Sequence, residues 1–384
     1  MLLIKNAHIY TITNGEIING DILIKDGKIA EIKEEIIADA EIIDAEGLNV
    51  FPGLIDCHSH LGGMNFAQNT AIDDCNEMTN SLTPQMNIKY GTDPQSEDFE
   101  FAYKSGITSL GLTPGSGNLL CGLACAVKTF GDNIFDMIIK DPFALKVAFG
   151  GNPKGVYAPR NQAPYTRMSM PTMILELFEK AKKYDNDKKE AKNKNEALPE
   201  YDAQLEALIP VLNKELPLKI HCTQFDMLSA MEVANTLDVK YSLEHVWGAT
   251  KYIDELIEGK ADVVFGPIGS RKTYGEGRII DIESVKTLDE KGVLVALTAD
   301  SPIIGIDTLI HHVGEAVRNG VSYDRAIRMI TINAAKIMGL EDRIGSIEVG
   351  KDADIAIFKG LPGFDVNSNA VYTIINGKVI YKSN

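Results

Sequence analysis

Between residues 52 and 345 the chain repeats one rhythm, and that rhythm constrains the fold more than any other feature. Short apolar runs of β character, GLIDCH, ITSLGL, ACAVKTF, ALKVAFG, LKIHC, YSLEH, DVVFG and VLVALTAD, alternate with other segments. Between the later runs lie stretches such as MLSAMEVANTLD and ATKYIDELIEG, whose apolar spacing suits helix. Near-continuous apolar runs fit parallel strands buried on both faces. Eight of them with intervening helices predict an α/β chain built on a (β/α)8 TIM-type barrel.

The two ends of the chain read differently. Residues 1–51 carry short β runs broken by turns, with Asp26-Gly27 as a hairpin signal. The last residues, DADIAIFKG and AVYTIINGKVIYKSN, repeat that texture, with Asn376-Gly377 as a second hairpin turn. Residues 1–51 plus 346–384 are therefore expected to pair in a small β-sandwich domain, with the barrel of residues 52–345 inserted between them. Within the barrel segment, residues 174–216 are rich in Lys, Glu, Asp and Asn and predict a charged, solvated helical excursion.

Composition narrows the partners. A net charge of −16 repels phosphate backbones and anionic lipid, so neither nucleic acid nor a membrane surface is expected. No apolar run approaches the roughly 20 residues of a membrane span, and the N-terminus reads as alternating strand rather than as a signal peptide. Five cysteines, in no zinc-finger spacing, read as reduced thiols of a cytoplasmic protein. The expected partner is a small-molecule substrate; assembly into a homo-oligomer is left open.

Four of only seven histidines, His58, His60, His221 and His245, fall at the carboxyl ends of proposed barrel strands, and Asp300 closes the last strand. Active sites of such barrels form at that end. On a regular strand Asp56, His58 and His60 share one face, with Cα atoms of alternate residues ~6.6 Å apart, while Cys57 and Ser59 share the other. Two imidazoles so placed can converge on one ion, although a His-Xaa-His pair alone is a weak signal. Asp300 alone could as well cap a helix. Together with four histidines at equivalent positions, a metal site is the better account. In FALKVAFGG, Lys146 points inward near the barrel mouth. As an ammonium it binds no metal; carbamylated by CO₂ it becomes an anionic ligand, and otherwise it is a lysine paired with an acid or the substrate.

These pieces, PGLIDCHSH, LKIHC, YSLEH, LTADSP and the closing run INAAKIMGLEDRIGSIEVGKDADIAIF, resemble the amidohydrolase superfamily, in particular its prolidase-like and imidazolonepropionase-like branches. The resemblance spans essentially the whole chain, least so 174–216. It implies that His58, His60 and Asp300 bind the more buried metal. A carboxylated Lys146 would bridge two ions, with His221 and His245 on the second. In a one-metal member His221 joins the first ion and His245 polarises the substrate. The resemblance implies a divalent metal, one or two ions per chain. Zinc suits the donors best, with Fe, Mn and Co as other ions they accept.

The chemistry implied is hydrolysis of a C–N amide bond by a metal-activated water, Asp300 acting as general base and then as acid to the leaving nitrogen. His245 or a metal would stabilise the oxyanion. The amide is linear or cyclic: an N-acyl amino acid, a dipeptide or an imidazolone-type ring. Low-specificity candidates for substrate binding are Tyr157, Arg160 and Arg167 in GGNPKGVYAPRNQAPYTRMSM, beside Lys154 and Tyr165 in the same loop. Arg271 and Lys272 have no assigned role. His8, His311 and His312 read as structural or surface residues. Two other functions compete. A one-metal deaminase commonly carries HxxE where this chain has HCTQ, with Gln224 at the acidic position. A non-catalytic scaffold loses metal ligands, and here none is missing.

Overall fold

The computed structural model describes residues 1–64, 73–269 and 278–383. Five strands open the chain: β1 (Leu2–Tyr10), β2 (Glu16–Lys25), β3 (Lys28–Lys33), β4 (Glu41–Asp44) and β5 (Asn49–Pro52). The middle carries β6 (Leu54–Ser59), β7 (Ile107–Leu112), β8 (Leu120–Lys128), β9 (Ile138–Ala148), β10 (Leu218–Cys222), β11 (Tyr241–His245), β12 (Asp262–Phe265) and β13 (Val295–Leu297). The end supplies β14 (Ile355–Lys359), β15 (Asn369–Ile375) and β16 (Lys378–Lys382).

The first five and last three strands form one sheet in the order β16-β15-β14-β5-β1-β2-β3, with β4 paired to β1. Both predicted hairpins form there, with Asp26-Gly27 and Asn376-Gly377 at positive φ as a primed turn requires. Antiparallel pairing of β14 with β5, Ile357 opposite Val50, joins the two ends of the chain. The expected sandwich is thus one continuous hydrogen-bonded sheet. Its inward side chains, among them Ile4, Ile22, Val50, Ile355 and Ile374, share one core.

The eight middle strands form a second, nearly closed sheet whose order follows the chain from β6 to β13. All eight apolar runs of the sequence are strands. The first and last meet through side chains: Asp56 accepts from the Ala299 amide at 2.9 Å, and Thr298 donates to the His58 carbonyl at 2.7 Å. One expectation of the (β/α)8 pattern fails. Strand β8 is antiparallel to both neighbours, so only the other seven run parallel. The connection from β7 is the short segment 113–119, TPGSGNL. A parallel crossover needs a dozen or more residues, so this Gly-rich link can only make a hairpin.

Helices 226–237, 253–259 and 283–290 follow β10, β11 and β12 as the alternation predicted. The 174–216 excursion is helical: Ser169–Lys194 and Ala203–Leu212 pack together, the first burying Ile174, Leu177, Phe178 and Ala181. Asp202 caps the second helix by accepting from the Gln204 and Leu205 amides. The excursion's exposed face carries i,i+4 pairs such as Lys189–Asp185 and Lys194–Glu190. Among the described residues no helix is long and apolar enough to cross a membrane.

A candidate metal centre at the carboxyl ends of the barrel strands

His58 and His60 leave the end of β6, but not by simple alternation. The pairing of β6 with β7 slips between Asp56 and Ser59. Cys57 therefore packs with Ala126, Ala144, Val264 and Ala296, residues of β8, β9, β12 and β13, inside the barrel rather than away from it. Asp56 is taken up by the backbone, accepting from the His58 amide at 3.0 Å and the Ala299 amide at 2.9 Å. Burial pushes its carboxyl up to about 7. Its part is to clamp the strand bearing the histidines to the segment bearing Asp300.

The tautomers follow from the partners. His60 Nδ1 lies 2.8 Å from the Thr113 carbonyl, which only accepts, so Nδ1 carries the proton. His58 Nδ1 donates in the same way to Glu244 Oε2 at 2.6 Å; burial first, then the Lys146 charge, holds this imidazole well below its ordinary pKa. Both Nε2 atoms therefore present lone pairs. They face Asp300 Oδ1, at 3.6 Å from His58 and 3.3 Å from His60. That oxygen is buried and receives no hydrogen bond. Three buried acceptors converging without a proton between them form a cradle for a cation, and among the described residues this is the cluster with metal-ligand spacing. Burial acts to raise the Asp300 carboxyl, but His245, His60 and Lys146 outweigh it and hold it below its usual range.

Lys146, on β9, is fully buried with its Nζ 2.8 Å from His58 Nε2, and among the described residues no carboxylate lies within ion-pair distance of it. Burial lowers its pKa, which favours the neutral amine. His245 and His221 complete the cluster with ring centroids 4.5 Å apart; His245 lies 4.9 Å from His58. His245 Nδ1 donates to the Gly266 carbonyl at 2.8 Å, and burial drives its pKa down to about 3. It is thus a neutral imidazole with a bare Nε2: a ligand, not a donor. Two of these groups are delivered by left-handed backbone, His245 at φ +73° and Asp300 at φ +52°. Such strain in non-glycine residues gathers at functional sites.

Each of the residues expected to bind substrate has a partner within the protein. Tyr157 is buried, its hydroxyl donating to Asn118 Oδ1 at 2.6 Å. Arg160 donates to the Met78 carbonyl, and Arg167 forks onto Asp226 at 2.7 and 3.0 Å. A cavity of about 500 Å³ is lined by one of them, Arg167, together with Lys154, Arg278, Gln224 and Phe225. Its wall includes Thr223 and Gln224, which closely follow His221 in the chain, and Gly151, next to Asn152, whose Nδ2 is 3.5 Å from His221 Nε2. Gln224 accepts from Arg278 Nε at 3.0 Å. Arg271 and Lys272 lie outside the described residues. His312 is structural, accepting from the Ile268 amide and donating to the Thr308 carbonyl, and His8 pairs with Glu16.

Sequence reasoning missed Glu244 and Lys219. Both sit in the same apolar runs as the histidines, YSLEH and LKIHC, and a charged residue inside a strand buried on both faces was the available signal.

A barrel sheet with two histidines at the end of its first strand and an aspartate just past its last is an arrangement able to hold a metal, and comparison with known proteins places the chain among hydrolases. The model of the amidohydrolase family matches residues 201–381. A crystal structure of an amidohydrolase from Thermotoga maritima MSB8 is 36% identical, covers 100% of both chains and superposes with a TM-score of 0.96. The amidohydrolase tasK of Hapsidospora irregularis is 26% identical over 89% of this chain, which spans 38% of that protein's length. Imidazolonepropionase of Thermoplasma volcanium is 26% identical over 88% of this chain and 83% of its own. The chain belongs to the amidohydrolase family, whose members hydrolyse carbon–nitrogen bonds.

Proposed function

We propose that this protein hydrolyses an amide C–N bond, linear or cyclic, with a divalent metal held by His58, His60 and Asp300. The observation that carries the reading is the convergence of three unprotonated, buried acceptor atoms, with Asp300 Oδ1 receiving no hydrogen bond. A divalent ion there supplies Lewis acidity, acidifying a water and polarising the scissile carbonyl. Zinc is the ion that best suits two imidazoles and a carboxylate.

The protein's own groups do the rest. Asp300 turns Oδ1 to the histidine pair and Oδ2 towards His245, 3.9 Å from its Nδ1. As general base it takes the proton of the attacking water; as the C–N bond breaks it returns that proton to the leaving nitrogen. His245 presents only a lone pair, which favours its service with His221 as ligands of a second ion over a role as hydrogen-bond donor to the oxyanion. Lys146 fits the same arrangement: its neutral amine adds to CO₂ and sheds a proton, giving an anionic carbamate where an uncompensated ammonium would repel cations.

Lys154 and Arg278, in the cavity that Thr223 and Gln224 line shortly after His221, suit a substrate bearing a carboxylate, such as an N-acyl amino acid, a dipeptide or an imidazolone acid. Gln224 argues against deamination, since an amide in place of a glutamate shuttles no proton. The test joins metal analysis of the purified protein with a panel of N-acyl amino acids, Xaa-Pro dipeptides and cyclic ureides. At least one ion per chain and turnover of an amide are expected. Well under one ion per chain would sink the proposal.

A further inference from the structure

We infer that Glu244, fixed by Lys219 and Ser242, is a positioning residue that sets the metal affinity of this centre through His58; the inference rests on the metal-centre reading above. Glu244 is fully buried, and four contacts use up its carboxylate. Oε2 accepts the Nδ1 proton of His58 at 2.6 Å. The Lys219 ammonium straddles both oxygens, at 3.0 Å from Oε1 and 2.9 Å from Oε2. Ser242 Oγ donates to Oε1 at 2.5 Å.

The strands wire this in advance. In the parallel register of β10 and β11, Lys219 lies opposite Ser242 and His221 opposite Glu244, so Glu244 and its partners share two adjacent strands with the candidate ligands His221 and His245 and reach across to His58 on β6. His60 and His245 are steered differently, each by a backbone carbonyl, Thr113 and Gly266 respectively. A carboxylate partner makes an imidazole a stronger ligand than a carbonyl does, and partners of this kind alter metal affinity by about 10–100-fold.

Stability alone is a poor reason for the arrangement. Two buried charges are commonly replaceable by apolar residues of similar volume at no loss. An apolar pair, however, leaves His58 without an acceptor for Nδ1–H and free to turn or change tautomer. Lys219 contributes separately by holding both carboxylate oxygens of Glu244, which fixes the plane in which Oε2 meets His58 Nδ1.

The test is zinc affinity by chelator competition, in wild type, Glu244→Gln and Glu244→Leu. Glu244→Leu is expected to weaken binding by about 10–100-fold. Glu244→Gln, whose amide oxygen still accepts from Nδ1–H, should recover part of that loss. In ¹⁵N-histidine spectra of the metal-free protein, His58 should carry its proton on Nδ1 in wild type and Glu244→Gln and lose that preference in Glu244→Leu. Zinc affinity within twofold of wild type in both variants would overturn the inference and leave the proposed function standing. No zinc binding by the wild type would overturn both. Should Glu244→Leu not fold, the near-isosteric Glu244→Gln decides: a zinc affinity equal to that of wild type rejects the role, and a weakened one upholds it.

Discussion

Asp300 shows at the scale of one residue how position and chemistry combine. It stands past the end of β13 at φ +52°, its amide donating to Thr298 Oγ1, whose hydroxyl in turn donates to the His58 carbonyl. The same carboxylate is asked to ligate through one oxygen and to move a proton through the other. Asp300→Asn keeps the shape and removes the base; kcat should fall by at least about 10²–10⁴-fold, measured by steady-state kinetics on the best substrate of the panel. Near-full activity would refute the mechanism. Lys146→Ala removes the group available for carbamylation. It should lower the bound metal by about one ion per chain in elemental analysis, and an unchanged content would reject the bridging role. The five ligand-type residues His58, His60, His221, His245 and Asp300 were legible because each ends an apolar run. For Tyr157, Arg160 and Arg167 the sequence offers the polar group but not its partner. A loop cation looks available until the tertiary structure supplies Asp226 or the Met78 carbonyl, and no local pattern foretells that partner.

At the scale of elements, β8 carries the lesson. The sequence marks it as a strand and marks 113–119 as Gly-rich, and those two facts together require a hairpin once the length of a parallel crossover is considered. Direction was thus written in the link, not in the strand. Reversal inserts an antiparallel strand beside β9, which carries Lys146, and needs glycine where the chains come close. Gly122 sits at φ +129°, and a Cβ added there would lie 2.6 Å from the Met86 carbonyl oxygen. A clash with backbone is not relieved by turning a side chain. Gly122→Ala should therefore destabilise the protein by about 2–4 kcal/mol in denaturant titration. A change below about 0.5 kcal/mol would mean that the strand yields locally. The slip between Asp56 and Ser59 is the part of β6 that sequence could not convey: alternation is a rule for regular strands, and here the carboxylate of Asp56 draws the backbone off it.

For the molecule as a whole, the question is what fixes the terminal sheet to the barrel whose mouth holds the site. The closing Gly-Lys-Asp-Ala-Asp turn, Gly350 to Asp354, supplies the answer. Asp352 accepts from Lys28 of β3 at 2.5 Å, from Lys128 of β8 at 3.0 Å and from Arg343 at 2.9 Å, while Asp354 takes a second bond from Lys128. One buried carboxylate thus ties both sheets and the segment between the last helix and β14. Burial tends to raise Asp352, but Lys128 and then Lys28 and Arg343 overcome it and bring the carboxyl to about 2, against an ordinary 3.8. A carboxyl depressed in the folded chain stabilises it fully above its unfolded pKa and loses that contribution as pH falls through the folded value. Here the window runs from about pH 4 down to about 2. The shift corresponds to about 1–2 kcal/mol at neutral pH after allowance for solvent screening. Asp352→Asn removes the titrating charge while leaving Lys128 and Lys28 partly unpaired. It should lower the melting temperature at pH 7 and flatten the loss of stability between pH 4 and 2 relative to wild type. Equal slopes for the two proteins across that window would show that Asp352 does not govern how the sheets are joined.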